Sequence, residues 1–268
     1  MTAVATLPAR LGRFVAEVPS LPLRGRFDRL RGVGIEQLAG ADAAATWRAN
    51  LDRIGLPARL DPGPGLGLAT IEDPTGGETR VLAGIPAPGG LLLLSAAALP
   101  GPAVEALPAQ LAAVAAALAP GEEVPPDGFA LEDGAVALPP DGTPEALRAY
   151  WVDAEDAMRL AIGMETVAEP RSDAGRPTLE QGLAALARAG IAAEVLRAGP
   201  RDAAGQAGEE EVLRLVKGDT ARVLASWRCP GAGGHDALAP AIEVELEGDG
   251  EAPVLAAFDH ILATLRPR

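Results

Sequence analysis

Hydrophobic positions change their period several times along this chain. Ile35, Leu38, Ala41, Ala44, Trp47, Leu51 and Ile54 recur at helical spacing, and Gly55 follows where a helix end favours glycine. Three short apolar runs then read as strands: Leu66–Glu72, Thr79–Ile85 and Leu91–Ala96. The turn formers Asp73-Pro74-Thr75-Gly76-Gly77 and Pro86-Ala87-Pro88-Gly89-Gly90 separate them. An Ala- and Leu-rich run predicts a helix over Ala103–Leu118, stopped by Pro120-Gly121. Phe129–Leu131 and Ala135–Leu138 flank Glu132-Asp133-Gly134 as a compact hairpin. Thr143-Pro144-Glu145 supplies an N-cap, a proline at the first helical position and an early acid. Leu147, Tyr150, Trp151, Ala154, Met158 and Ala161 continue it as a closing helix. The order predicted for residues 36–165 is therefore α-βββ-α-ββ-α.

A second unit begins after the polar, Pro- and Gly-containing stretch 169–177. Thr178–Ala189 reads as a helix ending at Gly190, followed by strands at Ile191–Leu196, Glu211–Val216, Ala221–Trp227 and Ile242–Leu246. Lys217-Gly218-Asp219-Thr220 joins the middle pair as a hairpin, and Pro253–Leu265 closes the unit as a helix. The expected fold class is α+β, with two sandwich-like units over residues 36–168 and 178–268, the second ordered α-ββββ-α. Two stretches echo each other: Leu51–Ala58 resembles Leu186–Ala193, and Thr79–Ala83 resembles Ala221–Ala225. Both fall at the same structural step, as a degenerate duplication would place them.

Charge separates one more segment. The whole chain carries 37 acidic against 23 basic side chains, a net charge of −14. Residues 1–35 reverse that sign, with Arg10, Arg13, Arg24, Arg26, Arg29 and Arg31 against only Glu17 and Asp28. They are expected to form a basic arm lying on the acidic body, with Arg24, Arg26, Arg29 and Arg31 as candidate partner-binding residues. The overall acidity excludes non-specific nucleic-acid binding, which needs cations to neutralise phosphates. Val81–Val104 is uncharged but holds four prolines and four glycines, so it reads as strands and a loop rather than a membrane span. Arg10, Arg13 and Glu17 interrupt any secretory apolar core, which places the protein in the cytoplasm.

Candidate chemistry is sparse. A single cysteine, Cys229, excludes internal disulfides and cysteine-based metal sites, and two histidines leave little for an imidazole centre. Gly32-Val33-Gly34 and Gly63-Pro64-Gly65-Leu66-Gly67 lack phosphate-loop spacing, and no serine sits in a nucleophile elbow. Cys229 lies six residues before His235 across a glycine-rich loop, a spacing that could activate a thiol, although a buried strand-end cysteine explains it as well. Asp153, Glu155 and Asp156, and the run Glu209-Glu210-Glu211, read as solvated faces rather than paired carboxylates of a site. Trp47, Trp151 and Trp227 read as core anchors, and His260 as peripheral on the last helix. No catalytic residue, cofactor or metal is assigned.

The order α-βββ-α-ββ-α, with its Gly89–Ala96 third strand, the Pro-Gly break and the Phe129–Leu138 hairpin, is similar to that of type III secretion chaperones and YbjN-like proteins. The resemblance covers about half the chain and carries over no functional residue. It implies a non-enzymatic protein that holds a segment of a partner protein against a sheet, as a homodimer or, with a second copy in the same chain, as an intramolecular pseudo-dimer. Two other readings stand beside it: a subunit or assembly factor docked through residues 1–35, and an enzyme whose Asp, Glu and Arg residues are dispersed along the chain.

Overall fold

The computed structural model describes residues 5–39, 45, 58–63, 66–72, 77–87, 90–99, 101–120, 123–132, 134–172 and 176–268. It is an α+β fold that divides into two compact units, one formed by residues 27–145 and the other by residues 1–26 together with 146–268. We call them the central unit and the terminal unit.

The first strands are β1 (Thr6–Leu11), β2 (Phe14–Pro19), β3 (Leu23–Leu30) and β4 (Val33–Ala39). Residues 1–35 are thus not an arm. Their arginines alternate with core positions: Ala9, Leu11, Phe14, Ala16, Val18, Leu30 and Val33 are all buried. A period of two, cut by two-residue turns, outweighs the charge pattern that suggested a solvated segment. Arg31 and Gly32 form the β3–β4 turn with φ of 53° and 77°, the doubly positive geometry that matches strand twist in a tight hairpin.

In the central unit, β4 is followed by β5 (Ala58–Gly63), β6 (Leu66–Glu72), β7 (Thr79–Ala87) and β8 (Gly90–Ala98). They form an antiparallel meander whose last strand pairs with β4, giving the order β3-β4-β8-β7-β6-β5. The helix α1 (Pro102–Ala116) packs on β8 and β7 through buried Leu107, Leu111 and Val114. After it, β9 (Leu118–Pro120) pairs with the hairpin β10 (Phe129–Ala130) and β11 (Gly134–Val136) in the order β10-β11-β9. The helix expected over the run from Ile35 to Ile54 begins in fact as strand, since Ile35 and Leu38 lie in β4. Its remaining positions, apart from residue 45, lie outside the described residues.

The terminal unit opens with β12 (Glu145–Val152) and β13 (Met158–Glu165), where the sequence pattern predicts the closing helix. Leu147, Ala149 and Trp151 are buried while Arg148 and Tyr150 are exposed, so the period is two. Leu147, Tyr150, Trp151 and Ala154 in the same stretch fit a helical spacing, and the cross-strand pairing of β12 with β13 decides between the two. Thr143 does not cap a helix; its hydroxyl donates to Asp141 Oδ1 at 2.5 Å. There follow α2 (Leu179–Arg188), β14 (Ala192–Ala203), β15 (Gln206–Lys217), β16 (Thr220–Cys229), β17 (Ala241–Gly248), α3 (Glu251–Thr264) and β18 (Arg266–Pro267). Thr178 and Gln181 cap α2 reciprocally, each side chain accepting from the other's backbone N–H. The sheet order is β14-β15-β16-β17-β13-β12, and β1-β2-β18 forms a small sheet. One core fills the space between the large sheet, α3 and the β1–β2 hairpin. It is built around fully buried Trp227, Phe14, Phe258, Leu160 and Ile162.

The predicted boundaries at 35/36 and 168/178 therefore give way to others. β13 pairs with β17 and β12 with β13, so residues 146–165 belong with the C-terminal half, and residues 169–172 and 176–177 are a loop inside the terminal unit. Two units with one topology result. In each, a hairpin, a four-stranded meander and a helix are followed by a short strand that pairs with a further hairpin. That hairpin is β10–β11 in the central unit and β1–β2 in the terminal unit. The echo of Thr79–Ala83 and Ala221–Ala225 falls on β7 and β16, which occupy equivalent places. The other echo places Ala58 at the start of β5 and Ala192-Ala193 at the start of β14; residues 51–57 lie outside the described residues.

Candidate partner-binding surface

Strand alternation gives the terminal unit two very different sheet faces. Leu160, Ile162, Met164, Val223, Ala225, Trp227, Ile242, Val244 and Leu246 point into the core. The intervening residues form the outer face, and the register sets them in rows across the strands. The middle row runs Tyr150, Ala161, Glu245, Ser226, Glu211 and Ala198, from β12 through β13, β17, β16 and β15 to β14. One flanking row is Arg148, Gly163, Glu243, Arg228, Glu209 and Pro200, and the other contains Val152, Arg159, Glu247, Leu224 and Leu213.

Most charges on this face are matched. Arg228 pairs with Glu209 at 3.1 Å, Arg176 with Glu243 at 3.4 Å and Arg222 with Glu247 at 3.1 Å, while Arg159 pairs with Asp156. Glu211 and Glu245 make no ion pair among the described residues. Burial and the neighbouring Glu243 carboxylate hold the Glu245 carboxyl above its ordinary range, against the opposing pull of Arg176.

At one end of the face lies a pocket of about 300 Å³. Arg171, Arg176 and Arg228 line it with Glu209 and Glu243, over Gly208 and Cys229. The Arg171 N–H donates to Pro230 O at 2.9 Å, and its guanidinium pairs with Glu165 at 2.5 Å. Gly208 is required there: a Cβ would stand 2.5 Å from Arg228 O and 2.6 Å from the Trp227 ring. Behind the sheet, Arg197 and Arg201 on β14 reach Asp259 on α3 at 3.0 and 2.7 Å, and both also pair with Glu210. These arginines hold the Asp259 carboxyl below its usual range against the effect of burial.

The four arginines singled out by charge do not converge. Arg24 is exposed on β3; Arg26 donates to Arg10 O at 2.7 Å. Arg29 lies over the Phe27 ring, 5.9 Å from its centre, and Arg31 bonds Asp141 and Pro139 O. Cys229 is buried, its thiol pushed up by desolvation and donating to Pro240 O at 3.6 Å. His235, with φ of 53°, sits against Thr166 O through Nδ1 and turns the loop. Asp153 and Asp156 shape the β12–β13 turn rather than a helix face; Asp153 Oδ1 accepts the Ala157 N–H at 2.7 Å. The run Glu209-Glu210-Glu211 splits between faces, leaving only Glu211 unpaired. Trp151 and Trp227 are core residues, whereas Trp47 lies outside the described residues. His260 pairs with Glu17 at 2.6 Å, tying α3 to β2. No group of three His, Cys, Asp or Glu among the described residues is placed to hold a metal ion. No helix among them is long and apolar enough to cross a membrane.

No protein-family model matches the chain, and no curated protein sequence does. Solved structures do resemble it. The apo immunity protein TplEi of the T6SS from Pseudomonas aeruginosa is 15% identical, with a TM-score of 0.69 over 98% of this chain and 97% of that one. The same protein complexed with "L" peptide is 17% identical, with a TM-score of 0.69 and 98% coverage of both chains. A chain of the Tle4–Tli4 complex is 16% identical, with a TM-score of 0.72 over 100% of this chain and 99% of that one. At such identities the likeness establishes a shared fold. Two of these structures are of a T6SS immunity protein, so the likeness is to a secretion-system protein but not to the type III secretion chaperones that the element order resembles.

Proposed function

We propose that this chain is a non-enzymatic protein that binds an effector protein and neutralises it by holding it in a stoichiometric complex, as an immunity protein does. The observation that carries this reading is the extent of the likeness. It spans 97–99% of each neighbour and 98–100% of this chain, so both units are shared rather than one common module. One neighbour was solved with a peptide and another in a complex between two proteins. Physical features of the chain agree. Its one thiol is buried, and most charges on the outer face of the terminal unit are tied in ion pairs that order a surface rather than drive a reaction. Such a face offers shape and charge to a folded partner.

The test is affinity purification of the tagged chain from its own organism, identification of co-purifying proteins by mass spectrometry, and reconstitution from the two recombinant proteins. We expect a one-to-one complex by size-exclusion chromatography with light scattering. Absence of any stoichiometric partner, or turnover of a small molecule by the chain alone, would overturn the reading.

A further inference from the structure

The middle row of the terminal unit's outer face is the one row there whose acids lack partners. Glu245 and Glu211 are the cross-strand neighbours of Ser226 on either side, so their strands stand about two sheet spacings, roughly 10 Å, apart. Ser226 is small, and its hydroxyl is turned down onto Glu211 O at 3.4 Å. On the other flank of Glu245 stands only the methyl group of Ala161, and beyond it the exposed ring of Tyr150. Two carboxylates and a phenol therefore rise around a floor of Ala161 and Ser226.

We infer that this trough seats basic side chains of a protein partner, with an arginine or lysine held between Glu211 and Glu245 over Ser226. Its cation completes the charge matching that every other acid around it already has, and Tyr150 offers a ring face to the stem or to a second cation. The other charges facing the trough are committed: Glu243 to Arg176, Glu247 to Arg222, Arg228 to Glu209 and Arg159 to Asp156. Arg148, on the edge of the row beside it, makes no ion pair among the described residues and repels a cation, which confines the seat to the Glu245 side. The chain's net charge of −14 favours the approach of a basic surface. The site deepens the proposed function and rests on the reading that the chain holds a protein partner.

The experiment uses the full chain, labelled with nitrogen-15, titrated with the peptide acetyl-Arg-Ala-Arg-amide and, as control, acetyl-Gln-Ala-Gln-amide. Saturable amide shifts are expected at Ala161, Ser226, Glu211 and Glu245 with the arginine peptide alone. Glu245→Gln is expected to weaken the response about fivefold, the size of one exposed ion pair, and Glu211→Gln to do so again. Shifts spread evenly over remote acids such as Glu180, Asp219 and Glu251, or an unchanged response in Glu245→Gln with its spectrum otherwise native, would overturn the site. The outcome separates the two claims: a natural partner that binds Glu245→Gln as tightly as the wild type sinks the trough and leaves the proposed function standing.

Discussion

The two units are built to one plan from different material. The strand order β3-β4-β8-β7-β6-β5 of the central unit repeats as β12-β13-β17-β16-β15-β14 in the terminal one, and α1 and α3 follow the meander in the same way. The central core is aliphatic, with Leu94, Leu107, Leu111 and Val114 at its heart, and among its described residues Phe129 is the one aromatic. The terminal core holds Trp151, Trp227, Phe14 and Phe258, and its outer face carries laced charges in place of apolar positions. The other difference lies in connectivity. The central unit is completed by β10–β11, the next hairpin along the chain, whereas the terminal unit is completed by β1–β2 from the far end. A fold that accepts its last hairpin from either direction specifies that hairpin by packing, not by connection. We propose that the shared order descends from an internal duplication in which the two hairpins were exchanged.

The most severe way to break this comparison is to remove the exchanged element. Phe14 is 1% exposed on β2, and Phe14→Ala should cost the terminal unit about 3–5 kcal/mol. Thermal unfolding followed by tryptophan fluorescence should show it, because Trp151 and Trp227 both sit in that core. Phe129→Ala, equally buried in the central unit, should leave that tryptophan transition in place.

Gly208→Ala comes next. Its Cβ has no room beside Arg228 O and the Trp227 ring, and we expect a loss of about 2 kcal/mol in urea unfolding. A glycine in open space, such as Gly163, should take alanine with little change.

A circular permutant sharpens the comparison with a smaller expected effect. The break falls after Ser20, and a flexible linker of about twenty residues joins Arg268 to Ala5; its root-mean-square reach of roughly 25 Å matches the length of β1 and the two strand spacings it crosses. Arg268 already donates its N–H to Arg13 O at 3.0 Å. The permutant should fold with a melting temperature within a few degrees of the parent; an aggregated product would mean that the order of connection matters.

Two acids give the finest test. The folded-state pKa of Asp259 lies below 3.8, so its stabilising contribution is complete above that value and is lost as pH falls through the folded value. Asp259→Asn should therefore cost about 1 kcal/mol at pH 7, allowing for its exposure, and progressively less as pH falls below 3.8. Glu245 has the opposite sign. Its raised folded pKa means that the ionised form is disfavoured in the fold, a cost present at neutral pH that disappears below 4.5. Glu245→Gln should raise the melting temperature slightly at pH 7 and leave it unchanged near pH 4.

Much of the terminal unit was legible in the sequence. The Thr178 cap, the Gly218-Asp219 turn and the runs around Val223 and Val244 each carry local chemistry that allows one answer. Residues 145–165 did not, because Leu147, Tyr150, Trp151 and Ala154 fit a helical spacing while Leu147, Ala149 and Trp151 fit a strand period, and only the pairing of β12 with β13 chooses. The basic N-terminal segment misled for a related reason: its arginines announce charge, while the small buried residues between them, such as Ala9 and Ala16, announce little. The trough was out of reach altogether. Glu211, Ser226 and Glu245 are far apart in sequence and ordinary in type, and three-strand register alone makes them neighbours.

The decisive measurement is growth of bacteria expressing the co-purified partner, with and without this chain. Arrest by the partner alone, relieved by the wild-type chain and relieved less well by Glu245→Gln at equal abundance, is the result we expect. A partner that is harmless by itself, or one whose toxicity the chain does not relieve, would contradict the assignment as a neutralising protein.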